Sequence, residues 1–195
     1  MGSKLTLDDI ADLRAYERER SSFLAHIIEL KQRRRVAVGP IVTLVFENRD
    51  TIRFQIQEMA RAERLLSDAA IQAELDVYNP LIPEPGQLSA TLFVELTSDA
   101  ELREWLPKLV GIERSVELRI GDRVVRCVPE EQHEQQLTRE EITASVHYVR
   151  FELSPDEVAA FDAEPVTLAV EHPAYREAVL LSDETRASLS RDLHG

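Results

Sequence analysis

The chain has 195 residues, 36 acids against 23 bases, and a formal net charge of −13. Its length allows one domain with a real core or two small ones, and 44% hydrophobic content argues against wholesale disorder. No run approaches the ~18 apolar residues of a membrane span. Asp8, Asp9 and Asp12 interrupt any signal-peptide core, so a cytoplasmic location is expected. The single cysteine, Cys127, excludes an internal disulfide or a four-thiolate iron–sulfur cluster within one chain.

The acidity lies in the C-terminal two-thirds, while the first 65 residues hold 12 of the 23 bases. Nucleic acid is therefore disfavoured as a partner, because the overall field repels phosphate. Arg33, Arg34 and Arg35 are a local exception at a predicted helix end. There they either complement the helix dipole or form an anion site.

Thr6 and Asp9 predict a helix cap, and Ile10, Leu13, Tyr16, Phe23, Ile27 and Leu30 continue as an amphipathic helix over about 7–33. Gly39-Pro40 closes it. Residues 41–47 read as a strand, and Thr51 to Gln57 alternate strictly between polar and apolar. That alternation predicts a hairpin over 41–55 leading into a helix at about 57–66, although Ile52, Ile56 and Met59 also fit a helical stripe. Ser67 caps a second helix that ends at Asn79-Pro80; Tyr78, Asn79, Pro83 and Pro85 read as a rigid connector.

Pro83-Glu84-Pro85-Gly86 is the main internal punctuation, dividing 1–86 from 87–195 within what is expected to be one continuous unit. A strand over 88–96, a helix from Ser98 and a hairpin around Gly121-Asp122 follow. Residues 129–141 are nearly devoid of apolar side chains. Beyond them come a strand (143–153), a helix capped by Ser154, strands at 166–171 and 176–181, and a final helix near 183–193. Residues 88–128 and 143–181 thus share a β-α-β-β pattern. The expected fold is α+β: a long helix, hairpin and helices packed with one mostly antiparallel sheet built from two weak repeats.

The most polar structured block runs from Glu47 to Glu63. Glu47, Arg49, Arg53, Gln55, Gln57, Glu58, Arg61 and Glu63 offer carboxylates, amides and guanidinium groups suited to a small polar ligand or a partner's helix end. The competing reading is a solvated face with weak ion pairs. No HxH, HExxH, GxSxG, GxGxxG or P-loop occurs, so no cofactor is expected. Glu130 and His133 form a lone ExxH in the most polar segment. His147 and His172 are a weak metal pair if their strands are neighbours; Cys127 reads as an apolar filler.

FENRDTIRFQIQEMARAE (46–63), ELDVYNPLIP (74–83) and ATLFVEL (90–96) resemble an uncharacterised bacterial and archaeal domain-of-unknown-function family of similar length. The resemblance spans essentially the whole chain. It implies a gene neighbourhood shared with rubrerythrin and a heterodisulfide-reductase-like iron–sulfur protein, but no catalytic residue. The leading expectation is a non-enzymatic module that binds or assembles a redox partner through the Glu47–Glu63 block. The alternative is a small-molecule-binding enzyme, metal-assisted, using Glu47, Glu58, Glu63 and His147 or His172. A third reading is a sensor that binds a metabolite near Gln55 and Gln57.

Overall fold

The computed structural model describes residues 4–130 and 142–195. Its helices are α1 (Leu13–Arg34), α2 (Arg49–Glu63), α3 (Asp68–Tyr78), α4 (Asp99–Trp105), α5 (Pro155–Ala163) and α6 (Asp183–His194). Its strands are β1 (Arg35–Val38), β2 (Val42–Glu47), β3 (Gln87–Val94), β4 (Val116–Ile120), β5 (Arg123–Arg126), β6 (Val128–Pro129), β7 (Val146–Glu152), β8 (Val166–His172) and β9 (Tyr175–Leu180).

The long helix begins later than its apolar spacing predicts. Thr6 and Asp9 cap a separate 3-10 turn at Leu7–Asp9, and Asp12 caps α1 by accepting from the Ala15 amide at 2.8 Å. Arg35 already belongs to β1, a strand the sequence reading missed. The tight β1–β2 turn at Gly39-Pro40 requires a left-handed residue, and Gly39 supplies φ +75°.

The hairpin expected over 41–55 is not formed. β2 pairs with β1 on one side and β3 on the other, so no edge remains for residues 49–55. These residues are helical instead. Asn48 and Thr51 make a reciprocal capping box, and Ile52, Ile56 and Ala60 bury one helical stripe. The strict alternation was a coincidence of composition: Phe54, apolar in sequence, lies edge-on to Phe23 of α1 at 5.8 Å.

Both β-α-β-β runs are present, but they build two antiparallel sheets rather than one. The first sheet has the order β1-β2-β3-β7-β6 and the second β5-β4-β8-β9. The opening strands of the two runs, β3 and β7, pair with each other in the first sheet, and β4 pairs with β8 in the second. At Cys127 the chain passes from β5 in one sheet to β6 in the other, with the Cys127 amide bonded to Val116 O at 2.9 Å. On the opposite side, Tyr175 Oη donates to Val38 O at 2.6 Å and joins β9 to β1.

Between the sheets lies a continuous apolar core containing Leu44, Phe46, Leu92 and Phe151 from the first and Leu118, Ile120, Leu168 and Val170 from the second. The first sheet is covered on its other face too, by α1, α2 and α3 around Ile52, Ile56, Leu75 and Leu81. This explains why all of β2 is buried. It also sets polar β2 and β3 residues, including Glu47 and Thr91, beneath helices.

Of the Arg33–Arg35 run, Arg34 has a role that neither sequence reading anticipated. It is 1% exposed and pairs with Asp192 on α6. Its Nε donates to Phe46 O at 2.8 Å, and its terminal nitrogens donate to Glu47 O at 2.9 Å and Ser188 Oγ at 3.2 Å. One guanidinium thus ties the end of β2 to the C-terminal helix. No helix among the described residues is long and apolar enough to cross a membrane.

Candidate functional site

Strand alternation places Thr43, Val45 and Glu47 of β2 on the helix-facing side of the first sheet, beside Thr91 and Phe93 of β3 and Val146 and Tyr148 of β7. Helix α2 crosses this surface with Thr51, Ile52 and Gln55, α1 contributes Lys31, and Tyr78 and Leu81 close the remaining side. The result is a half-open cavity of about 240 Å³.

Glu47 lies in its wall, 8% exposed, where Thr91 Oγ1 donates to its Oε1 at 2.6 Å. Burial raises the Tyr148 hydroxyl above its ordinary value, and the nearby Tyr78 and Glu47 charges push it the same way. Lys31 is half-buried on the helix side, with Nζ 6.0 Å from the Phe54 ring centroid. The set can therefore hold a small molecule between an acid, hydroxyl groups, an apolar wall and one cation.

Two of the eight residues singled out in the sequence, Glu47 and Gln55, share this cavity. Five of the others face α1 and the N-terminal segment and are spent on joining α2 to them. Arg49 pairs with Asp9 at 2.5 Å. Arg53 donates to Asp9 O at 2.8 Å, pairs with Glu19 at 2.7 Å and lies 4.8 Å from the Phe23 ring centroid. Gln57 is fully buried and grips the Ala11 backbone, accepting from its amide at 2.7 Å and donating to its carbonyl at 3.1 Å. Arg61 pairs with Glu17 at 2.5 Å.

Glu58 receives both Arg20 Nε and Tyr16 Oη at 2.8 Å. The Arg20 hydrogen bonds hold its carboxyl below the usual range, while burial and then Glu58 push the Tyr16 hydroxyl well above its own. Glu63 is exposed at the end of α2.

His147 and His172 stand on different sheets, on β7 and β8. His147 Nε2 lies 2.9 Å from both Thr143 Oγ1 and Ala144 O, and His172 Nε2 lies 3.0 Å from Val110 O. Each imidazole is engaged locally and the pair does not converge. His133, the partner in the ExxH spacing, lies outside the described residues. Among the described residues no group of three or more His, Cys, Asp or Glu could hold a metal ion. Cys127 is buried, and burial pushes its thiol up to about 12.

The sequence reading missed Lys31, Thr51, Tyr78, Thr91 and Tyr148 as cavity residues, and it took Tyr78 for part of a connector. A usable signal existed. Thr43 and Glu47 in β2 and Ser89 and Thr91 in β3 alternate with apolar residues, and a polar face buried beneath helices marks a cavity more readily than a core.

A family model described as "Protein of unknown function (DUF3501)" matches residues 4–193. A crystal structure titled as a novel protein of unknown function from Burkholderia pseudomallei is similar at 38% identity and a TM-score of 0.90, covering 98% of this chain and 100% of that one. The search of curated proteins found no match.

Proposed function

We propose a binding function for this chain, which belongs to the DUF3501 family of proteins of unknown function. It is a non-enzymatic protein of the cytoplasm that takes a small polar ligand in the cleft between the first sheet and α2 and serves a redox partner. The observation that carries the ligand reading is Glu47, a carboxylate 8% exposed in the wall of a half-open cavity and held from one side by Thr91. Burying an ionised carboxylate is costly unless a partner compensates it, so a group of complementary chemistry belongs in that space. The partner reading is supported by the gene neighbourhood that the sequence resemblance implies. In this reading Glu47 and Gln55 touch the ligand, while Arg49, Arg53, Gln57, Glu58, Arg61 and Glu63 hold or flank the helix that covers it.

A thermal-shift screen against polar metabolites tests the ligand reading. A ligand at 100 times its Kd adds about 2.7 kcal/mol, or roughly 5–10 °C in Tm for a chain of this size. No shift above ~1 °C from any compound at saturating concentration would count decisively against the cleft as a binding site. Native mass spectrometry with purified rubrerythrin and with the iron–sulfur protein, each with and without the best ligand, tests the partner. A complex is expected with one of the two; none at physiological salt refutes that arm.

A further inference from the structure

Resting on the binding reading above, we propose that the cleft takes a compact zwitterion, its ammonium end against Glu47, Tyr78 and Tyr148 and its carboxylate end at Lys31. Four observations lead there. The cavity, about 240 Å³, is smaller than the ~300–1,000 Å³ typical of sites for drug-sized molecules, so the ligand is small.

Glu47 is buried with a single side-chain hydrogen bond among the described residues, from the neutral Thr91 hydroxyl. A hydroxyl donor does not neutralise a buried carboxylate; a cation does. Tyr78 and Tyr148 line the same space, and aromatic rings attract an organic ammonium through their negative faces. An acid framed by aromatic rings suits an amine or a methylated ammonium better than a hydrated metal ion.

Lys31 supplies the other end. It lines the cavity with Glu47, yet the two do not meet as an ion pair, and its one described charge contact is with the Phe54 ring. An acid and a base lining one space without touching leave room for a molecule carrying the opposite charge at each end. Ile52, Leu81 and Val146 provide an apolar wall for the methylene or methyl groups between them.

Isothermal titration of the full chain with glycine betaine, β-alanine, choline and acetate tests the assignment. A zwitterion is expected to bind at least tenfold more tightly than choline, and acetate not at all. Glu47→Gln should weaken zwitterion binding at least tenfold. Lys31→Met, at a half-buried helix position, should erase the preference for the zwitterion over choline while leaving choline binding unchanged. Acetate binding in preference to choline and the zwitterions, or zwitterion binding unaltered by both variants, overturns the proposal. Amide NMR of the cleft with a wider polar library separates this from the broader reading. Cleft shifts caused only by neutral or anionic compounds sink the zwitterion and leave a binding site; no cleft shift from any compound sinks both.

Discussion

Replacing Arg34 with methionine should be among the most damaging single changes in this fold. The side chain is 1% exposed, its partner Asp192 is 14% exposed, and the guanidinium also serves the carbonyls of Phe46 and Glu47 and the Ser188 hydroxyl. Methionine keeps much of the volume but leaves the Asp192 carboxylate buried without its cation. Breaking such a pair from one side costs about 3–5 kcal/mol. With a urea dependence of about 2 kcal/mol per molar, the unfolding midpoint should fall by roughly 2 M.

The double variant Arg34→Met with Asp192→Leu removes the stranded charge and should recover part of the loss, a coupling of about 0.5–3 kcal/mol. The deficit of the single variant should also depend on pH. Burial already raises the Asp192 carboxyl above its ordinary value, against the pull of Arg34, and losing Arg34 raises it further. A carboxyl raised in the folded state binds more protons there than in the unfolded chain, so its contribution to stability grows as pH falls from the folded value toward the unfolded one. The gap between wild type and Arg34→Met should therefore be narrower at pH 5 than at pH 8. A loss below ~1 kcal/mol, or a double variant whose penalty is the plain sum of the two singles, would refute the reasoning.

Glu58 behaves in the opposite sense. Its carboxyl is held low by Arg20, so its contribution is present above the unfolded value and is lost as pH falls through the folded one; Glu58→Gln should flatten the acid limb of the stability curve below about pH 4.5, and an unchanged limb would exclude this role. Cys127, with its thiol pushed up to about 12 by burial, should resist alkylation at pH 8 in the native protein and react fully in denaturant; rapid stoichiometric labelling of folded protein would contradict that assignment. Gly39→Ala should cost about 1–3 kcal/mol, since φ is +75° and the new Cβ would strike Tyr175 Oη and Glu177; a Tm change below 1 °C would show that the turn can relax. Gln57→Ala should speed amide exchange at Ala11 and through the 3-10 turn at Leu7–Asp9, with little effect on β2; unchanged protection at Ala11 would rule out the clamp.

Much of the element order was legible because local chemistry agreed with tertiary need. Ser67, Ser98, Ser154 and Ser182 all cap the helices that follow them, and Gly121-Asp122 turns the β4–β5 hairpin. The misreading at Thr51–Gln57 arose where two periodicities fitted the same seven residues. Only knowledge of the neighbours of β2 decides between them, and those neighbours come from residues 35–38 and 87–94. The division into two sheets was equally hidden, because sequence spacing reveals strands but not which strands share an edge. The polar block was visible as a block. Its split was not: helical phase sends Gln55 toward the cavity, Arg53 toward α1 and Gln57 toward the segment that precedes it.

The bond from Arg34 to Asp192 joins residues 158 positions apart, and synthesis gives that separation a meaning in time. At ribosomal rates of ~5–20 residues per second, Arg34 emerges roughly 10–30 s before the residue that neutralises it. Throughout that interval the nascent chain has the end of β2, and with it the backbone of Glu47, without its final clasp. A message that stops short of α6 therefore yields most of the strands and helices but leaves an arginine with no acid at the base of the cleft. Completion of the candidate site awaits the synthesis of α6.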